Sequence, residues 1–192
     1  MMKSNNMPSN KIIFGFVGLI SCGKGTAAKY LAEKYGASTH RFSTSLREVL
    51  RRLYLEENRD NLVKLSECLR ETFGQDLLAK IITKDALNDE QEIVIVEGIR
   101  RLDDIKYLSE LPNFILVEIS ADPKIRYERL IKRDENVDDN SKTYEEFLAD
   151  HQKPTEVTIA SVVELAKEHL DNNGSTEDLQ KQIDELIKKY GI

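Results

Sequence analysis

Tryptophan is absent from the chain, prolines number four and cysteines two, and no apolar run reaches the length of a membrane span. Each scarcity removes a class of protein. Cys22 and Cys68 are too few for a disulfide framework and too far apart for a metal knuckle, so reduced thiols and a cytoplasmic location are expected. The opening MMKSNNMPSN has no apolar core of signal-peptide length, and residues 1–10 read as a flexible tail. Positive charge is short as well. Lys and Arg number 28 against 34 Asp and Glu, a net charge of −6 that offers no general attraction to nucleic acid or an anionic membrane. Any anionic ligand must be gathered by a local basic cluster. What remains is a chain of 192 residues, 40% hydrophobic and 32% charged, with no internal repeat. That suits a single domain over residues 11–192 with a real core.

Three apolar runs are rich in β-branched and aromatic residues: KIIFGFV at 11–17, EIVIV at 92–96 and FILVEI at 114–119. Their hydrophobicity is continuous rather than alternating, which predicts strands covered on both faces, as in a parallel sheet. Weaker strand candidates lie at 37–42 and 169–172. Helical periodicity fills the gaps. Ala28, Leu31, Ala32 and Tyr35 share a face ahead of Gly36; Leu46, Val49, Leu50 and Leu53 repeat, as do Leu62, Leu65, Leu69 and Phe73. Asp122-Pro123 reads as a cap with proline at the first helical position, and Ser175 caps a last helix carrying Leu179, Ile183, Leu186 and Ile187. The expectation is an α/β fold, a parallel sheet wrapped by helices.

One stretch carries chemistry directly. GLISCGKGT, residues 18–26, follows the first strand and opens the first helix with the spacing G-x-x-x-x-G-K. Gly18 and Gly23 let the amides between them, at Ser21 and Cys22 among others, turn inward around phosphate oxygens. The helix N-terminus adds positive potential, and the Lys24 ammonium reaches the outer phosphates. The plain alternative is a tight strand-to-helix turn with a solvated lysine. Gly25 stands where a magnesium-holding Ser or Thr is expected, with Thr26 behind it.

Phosphoryl transfer needs positive charge around the migrating group and little else. Three segments could supply it. In RFSTSLREVLRR, residues 41–52, Arg47 and Arg51 lie one turn apart, and Arg47 has no acid three or four positions away. In EGIRR, residues 97–101, Glu97 ends a buried strand, a place suited to holding the water shell of magnesium, and Arg100 or Arg101 follows. In PKIRYERLIKRD, residues 123–134, Arg126, Arg129 and Arg133 fall within roughly 60° on a helical wheel. That predicts a column of guanidinium groups beside a buried face. Solvated basic surfaces are the alternative in each case.

The GKGT variant resembles the loop of adenylate-kinase-like nucleoside monophosphate kinases, a group that includes dephospho-coenzyme-A-kinase-like members. The resemblance runs from about residue 11 to the final helix. It implies a three-layer P-loop NTPase fold of about five parallel strands, a helical acceptor-binding segment at about 44–88 and a short lid at about 134–143. It further implies ATP and Mg2+ as cofactors, with Gly18, Ser21, Cys22, Gly23, Lys24, Gly25 and Thr26 around the phosphates. Thr26 and Glu97 would serve the metal, Glu97 through water, since the family more often carries aspartate there. Thr44, Arg47, Arg51 and Arg100 would bind the acceptor phosphate, although the family's S-T-G-D becomes Ser43-Thr44-Ser45-Leu46 and its arginine sits at another offset. Arg129 would stack on adenine and Arg133 contact phosphate, while Asn173 in DNNGS would frame the base. Lys24, Arg100, Arg129 and Arg133 are thus the expected catalytic residues.

Dephospho-coenzyme A kinases carry an aspartate near the end of the second strand; here the segment reads His40-Arg41-Phe42-Ser43-Thr44, without a carboxylate. A phosphate acceptor needs no base, so a nucleoside or deoxynucleoside monophosphate is favoured. His40 as a base keeps dephospho-coenzyme A open, and a non-catalytic nucleotide sensor is the further alternative. Small-molecule nucleotides are the expected partners of a monomer, with a dimer left open.

Overall fold

The computed structural model describes residues 11–132, 142–152 and 154–192, with nothing said of the side chains at 154 and 155. The expected tail at 1–10, Arg133 and nearly all of the expected lid lie outside these residues. Five strands form one parallel sheet in the order β2-β3-β1-β4-β5: β1 (Ile12–Val17), β2 (Ser38–Arg41), β3 (Ile93–Glu97), β4 (Phe114–Ser120) and β5 (Glu168–Asp171). All three strong apolar runs are strands, and the two weaker candidates are the short edge strands.

Alternate strand residues feed two separate cores, which is why the runs are apolar throughout. Phe14, Phe16, Ile95, Val117 and Ile119 face one side, covered by α1 (Lys24–Tyr35) and α9 (Thr176–Lys189) through Leu31, Ile183 and Leu186. Ile13, Val17, Val94, Val96 and Leu116 face the other. They meet Ile82 and Ala86 of α4 (Leu77–Asn88), Ile105 of α5 (Leu102–Ile105), and Ile159 and Val162 of α8 (Pro154–Val163). The result is the expected three-layer α/β fold. Gly15 permits this packing in the central strand, because a Cβ there would stand 2.7 Å from the Phe114 ring.

Between β2 and β3 lie α2 (Phe42–Arg52), α3 (Arg59–Phe73) and α4, which span the segment expected to bind an acceptor. In α2 only Leu46 and Leu50 are buried; Val49 and Leu53 are exposed. The buried residue of α3 is Arg70, which donates to Gln75 O at 2.9 Å and lies 3.7 Å from Asp104. Asp104 Oδ2 in turn accepts from the amides of Arg100 and Arg101, fixing the loop that leaves β3. After β4 come α6 (Pro123–Leu130) and α7 (Tyr144–Asp150). Pro123 begins α6, but Asp122 makes no side-chain cap bond. Ser175 does cap α9, accepting from the Asp178 amide within a capping box. Among the described residues no helix is long and apolar enough to cross a membrane.

Lys11 is a buried lysine at the entry side of the sheet. Its ammonium donates to Ala86 O at 3.3 Å, Leu87 O at 3.0 Å and Asp89 O, closing the C-terminal end of α4. Three helix-end carbonyls and a cation thus satisfy one another away from water. Lys11→Met, which keeps the length and loses the donors, is expected to cost about 1–3 kcal/mol in urea unfolding.

Candidate nucleotide site

The carboxyl edge of the sheet carries the phosphate loop, Glu97 and Asn172, as open parallel sheets do. The loop between β1 and α1 is held in a shape that only particular residues permit. Gly18 has φ +150°, and a Cβ on it would lie 2.2 Å from the Ile119 carbonyl and 2.8 Å from Cys22 Sγ. Gly23 has φ +111°, and its Cβ would collide with Asn172 Nδ2 at 2.1 Å. Ser21 adopts φ 59°, unusual for a residue with a side chain, and its buried hydroxyl has no partner. Strain of this kind persists where neighbours impose it. Lys24 Nζ donates to Gly18 O at 2.6 Å and Leu19 O at 3.1 Å, placing the ammonium at the centre of the loop. Gly25 differs from the other two glycines: nothing stands within 4 Å of its missing Cβ.

Asn172 escaped the sequence reading, which chose its neighbour. The Asn172 side chain is buried where β5 ends and donates to Cys22 O at 2.8 Å. Its own carbonyl accepts from Arg129 Nη2 at 2.9 Å. Asn173 is exposed and accepts from the Asp122 amide at 2.7 Å. The motif was visible in DNNGS; only packing reveals which asparagine turns inward.

The structure also corrects the expected guanidinium column. Arg126 is 3% exposed and faces inward, donating to Ala121 O and to Ile20 O of the phosphate loop. It also lies 2.9 Å from His151 Nε2 and 5.3 Å from the Phe147 ring centre. The helical wheel failed here because α7 covers that face of α6. Burial, helped by the Arg126 charge, lowers the His151 pKa from its ordinary value, so the neutral ring accepts from the guanidinium.

Glu97, the last residue of β3, is 6% exposed. Its Oε2 accepts from Arg41 Nε at 2.6 Å across the β2–β3 register, and its Oε1 is buried without a partner. A buried, unpartnered carboxylate oxygen suits magnesium or its water shell. Thr26 is exposed on the first turn of α1. The remaining arginines have acids that sequence spacing did not reveal. Arg47 Nη1 donates to Glu57 O at 3.0 Å and Arg51 Nε to Glu57 Oε1 at 2.7 Å; the acid lies beyond the helix, after a turn with Tyr54 at φ 56°. Arg100 Nη1 donates to Glu156 Oε1 at 2.9 Å. His40, the possible base, binds Asp89 Oδ2 at 2.7 Å in the loop before β3. Thr44 stands with Gly25 and Arg41 around a depression of about 270 Å3.

This loop on this sheet defines an α/β domain with a P-loop, kinase-like fold. The chain belongs to the family described as AAA domain, which matches residues 17–147, and to the UPF0200 proteins. It is 31% identical over 181 residues to the UPF0200 protein of Thermococcus kodakarensis, covering 90% of this chain and 96% of the relative. The corresponding values for Methanocaldococcus jannaschii are 30% over 181 residues, 93% and 90%. In fold it is similar to TT1252 from Thermus thermophilus, with TM-score 0.61 and 22% identity over 94% of this chain and 98% of the other. Shikimate kinase from Bacteroides thetaiotaomicron matches with TM-score 0.61 and 13% identity, covering 94% and 99%.

Two measurements test the site. Gly23→Ala is expected to weaken ATP binding at least about 10-fold by calorimetry, because φ and Asn172 both oppose a Cβ. Gly25→Ala, with open space, should stay within about 2-fold of the native chain. Separately, a depressed native His151 pKa means that the folded state binds fewer protons than the unfolded chain. Its contribution is intact above the ordinary value of 6.5 and lost as pH falls below it. His151→Gln should flatten the decline in unfolding free energy between about pH 6.5 and 5.

Proposed function

We propose that the protein transfers the outer phosphoryl group of ATP to a small phosphorylated acceptor, a nucleoside or deoxynucleoside monophosphate. The observation that carries this reading is the company kept at the carboxyl edge of the sheet. Lys24 sits inside a strained amide loop, and Glu97 ends the neighbouring strand with a buried unpartnered oxygen. Arg129 is tied through Asn172 to the same loop, and Arg41 and Arg100 leave the carboxyl ends of β2 and β3. Phosphoryl transfer asks a protein chiefly for positioning and charge neutralisation, and this set supplies both.

In this reading residues 18–26 bind the triphosphate through loop amides, with Thr26 at an inner phosphate. Lys24 exchanges its carbonyl partners for the outer phosphates. Magnesium, when bound, neutralises phosphate charge; Glu97 would hold its water shell from the β3 side and Thr26 would serve it from the loop side. Arg100 gives up Glu156 to steady the acceptor, with Arg47 or Arg51 behind it. Arg129, placed by Asn172, serves the base side with Asn173, and Arg133 is assigned to the lid. A hydroxyl acceptor such as dephospho-coenzyme A would need a base at the transfer point, and His40, paired with Asp89, is the residue that would serve as one.

The test is an ADP-release screen with ATP and Mg2+ against the common nucleoside and deoxynucleoside monophosphates plus dephospho-coenzyme A. Acceptor-dependent ADP release with a monophosphate is expected, and Lys24→Ala should lower turnover by about 100-fold or more with the fold intact. Release with dephospho-coenzyme A alone would move the acceptor class. ATP binding without acceptor-dependent release would make the protein a sensor.

A further inference from the structure

Arg41 opens the basic segment 41–52 but was given no role of its own, yet it is the arginine that lines the depression beside the phosphate loop. One wall is α1, where Gly25, Ala28 and Ala32 stand on one helical face; the other is formed by Thr39, Arg41 and Thr44. Among the described residues Lys29 is the other charged lining residue, and no acid lines the space. The wall of α1 is smooth because its residues are small, and Gly25 brings the surface directly to the lysine that follows the loop. Anion recognition and a flat, weakly polar surface thus adjoin one another.

The geometry of Arg41 makes it more than a surface charge. Its backbone pairs with Glu97 across β2 and β3, and its Nε donates to Glu97 Oε2 at 2.6 Å. Glu97 is almost fully buried while the Arg41 side chain is 56% exposed, so the inner edge of the guanidinium is anchored and the outer edge is wet. Nη1 and Nη2 make no hydrogen bond among the described residues. A guanidinium carries five N–H donors in a rigid plane and can bind one carboxylate sideways while presenting a fork to a second anion. Arg51 is held in the same way, through Nε, but it does not line the depression. Arg47 and Arg51 share Glu57, and Arg100 is held by Glu156.

We infer that Arg41, oriented by Glu97, receives the anionic group of the acceptor, and that the acceptor's body lies in the depression along α1 over Ala28 and Ala32. The inference rests on the transfer reading above and deepens it. It assigns the acceptor anion first to the end of β2, ahead of the arginines of α2. Thr39 and Thr44 supply hydroxyl donors on the same wall, and Lys29 adds charge at the far end.

The experiment is calorimetric titration of the full chain, with Mg2+ and a non-hydrolysable ATP analogue at saturation. The probes are AMP, GMP, CMP, UMP and dTMP, each beside its nucleoside. A monophosphate is expected to bind while its nucleoside binds at least about 10-fold more weakly, the difference set by a charge-assisted fork. Arg41→Ala should weaken the monophosphate by about 10- to 100-fold and the ATP analogue by less than about 3-fold. Arg41→Lys should restore only part, since an ammonium has no fork. Because Arg41→Ala also strips Glu97 of its ion pair, Arg41→Gln is the second variant; it keeps a donor for the carboxylate and should show the same selective loss. Unchanged monophosphate affinity in the Ala and Gln variants would overturn the assignment. So would an equal loss of the ATP analogue, or a native chain that binds the analogue but none of the monophosphates. Failure to bind the ATP analogue would instead defeat the transfer reading, and the monophosphate titrations without analogue would still decide the role of Arg41.

Discussion

The phosphate loop is wedged between two neighbours that leave it no alternative course. On one side the Ile119 carbonyl of β4 lies where a Cβ of residue 18 would be; on the other the Asn172 amide lies where a Cβ of residue 23 would be. The glycines are therefore fixed by contact as much as by backbone freedom. Asn172 also holds Cys22 O, so the peptide ahead of Gly23 is tied to the end of β5. With both ends pinned, the intervening amides and the Lys24 ammonium occupy set positions before any ligand arrives. Preorganisation of that kind is what a charge-stabilising site requires, since dipoles need not be turned at the moment of reaction. The third tie is Arg126, buried under α7, whose bond to Ile20 O reaches the middle of the loop.

A chain with excess negative charge must keep its working cations from being neutralised for good. The arginines near the loop fall into two groups. Arg126 and Arg129 bond main-chain carbonyls; Arg126, 3% exposed, is structural, while Arg129 is half-buried. Arg41, Arg47, Arg51 and Arg100 bond carboxylates while remaining 40% to 60% exposed. The pairs of Arg47 and Arg51 with the part-exposed Glu57 hold by only about 0–1 kcal/mol, so a doubly charged phosphate can displace that acid. Glu97 and Glu156 are largely buried and hold their arginines more firmly. The acids keep these long side chains near the loop and lower the conformational entropy lost on binding.

Most of the architecture was legible in the sequence because it is local. A continuous β-branched run, a G-x-x-x-x-G-K turn and a capping serine each declare themselves within ten residues, and β1, α1 and α9 stand as expected. What stayed hidden depends on partners distant in sequence. Arg47 had no acid three or four positions away, yet Glu57 returns to it after Tyr54 reverses the chain. Arg126 shared a helical face with Arg129, but α7 supplies Phe147 and His151 to bury it. The choice between Asn172 and Asn173 follows from where β5 ends, a boundary that composition does not mark. Arg41 was passed over because its worth lies in the residue across the ladder. A parallel pairing of β2 with β3 is needed before Glu97 becomes its neighbour.

Gly25 and Glu97 belong to one arrangement. In the proposed reading a loop with no hydroxyl beside its lysine has one fewer oxygen for magnesium, and the deficit must be met from the opposite wall. Glutamate is longer than aspartate by a methylene, so from the end of β3 its carboxylate extends further toward the loop. That length would ordinarily let the group rotate away. Arg41 prevents it by fixing Oε2, leaving Oε1 as the buried oxygen with no partner. The same guanidinium that orients the acid lines the depression where an acceptor would lie. Metal side and acceptor side thus share one ion pair. Charge brought to either face of Glu97 or Arg41 alters the field felt at the other, at a separation of 2.6 Å.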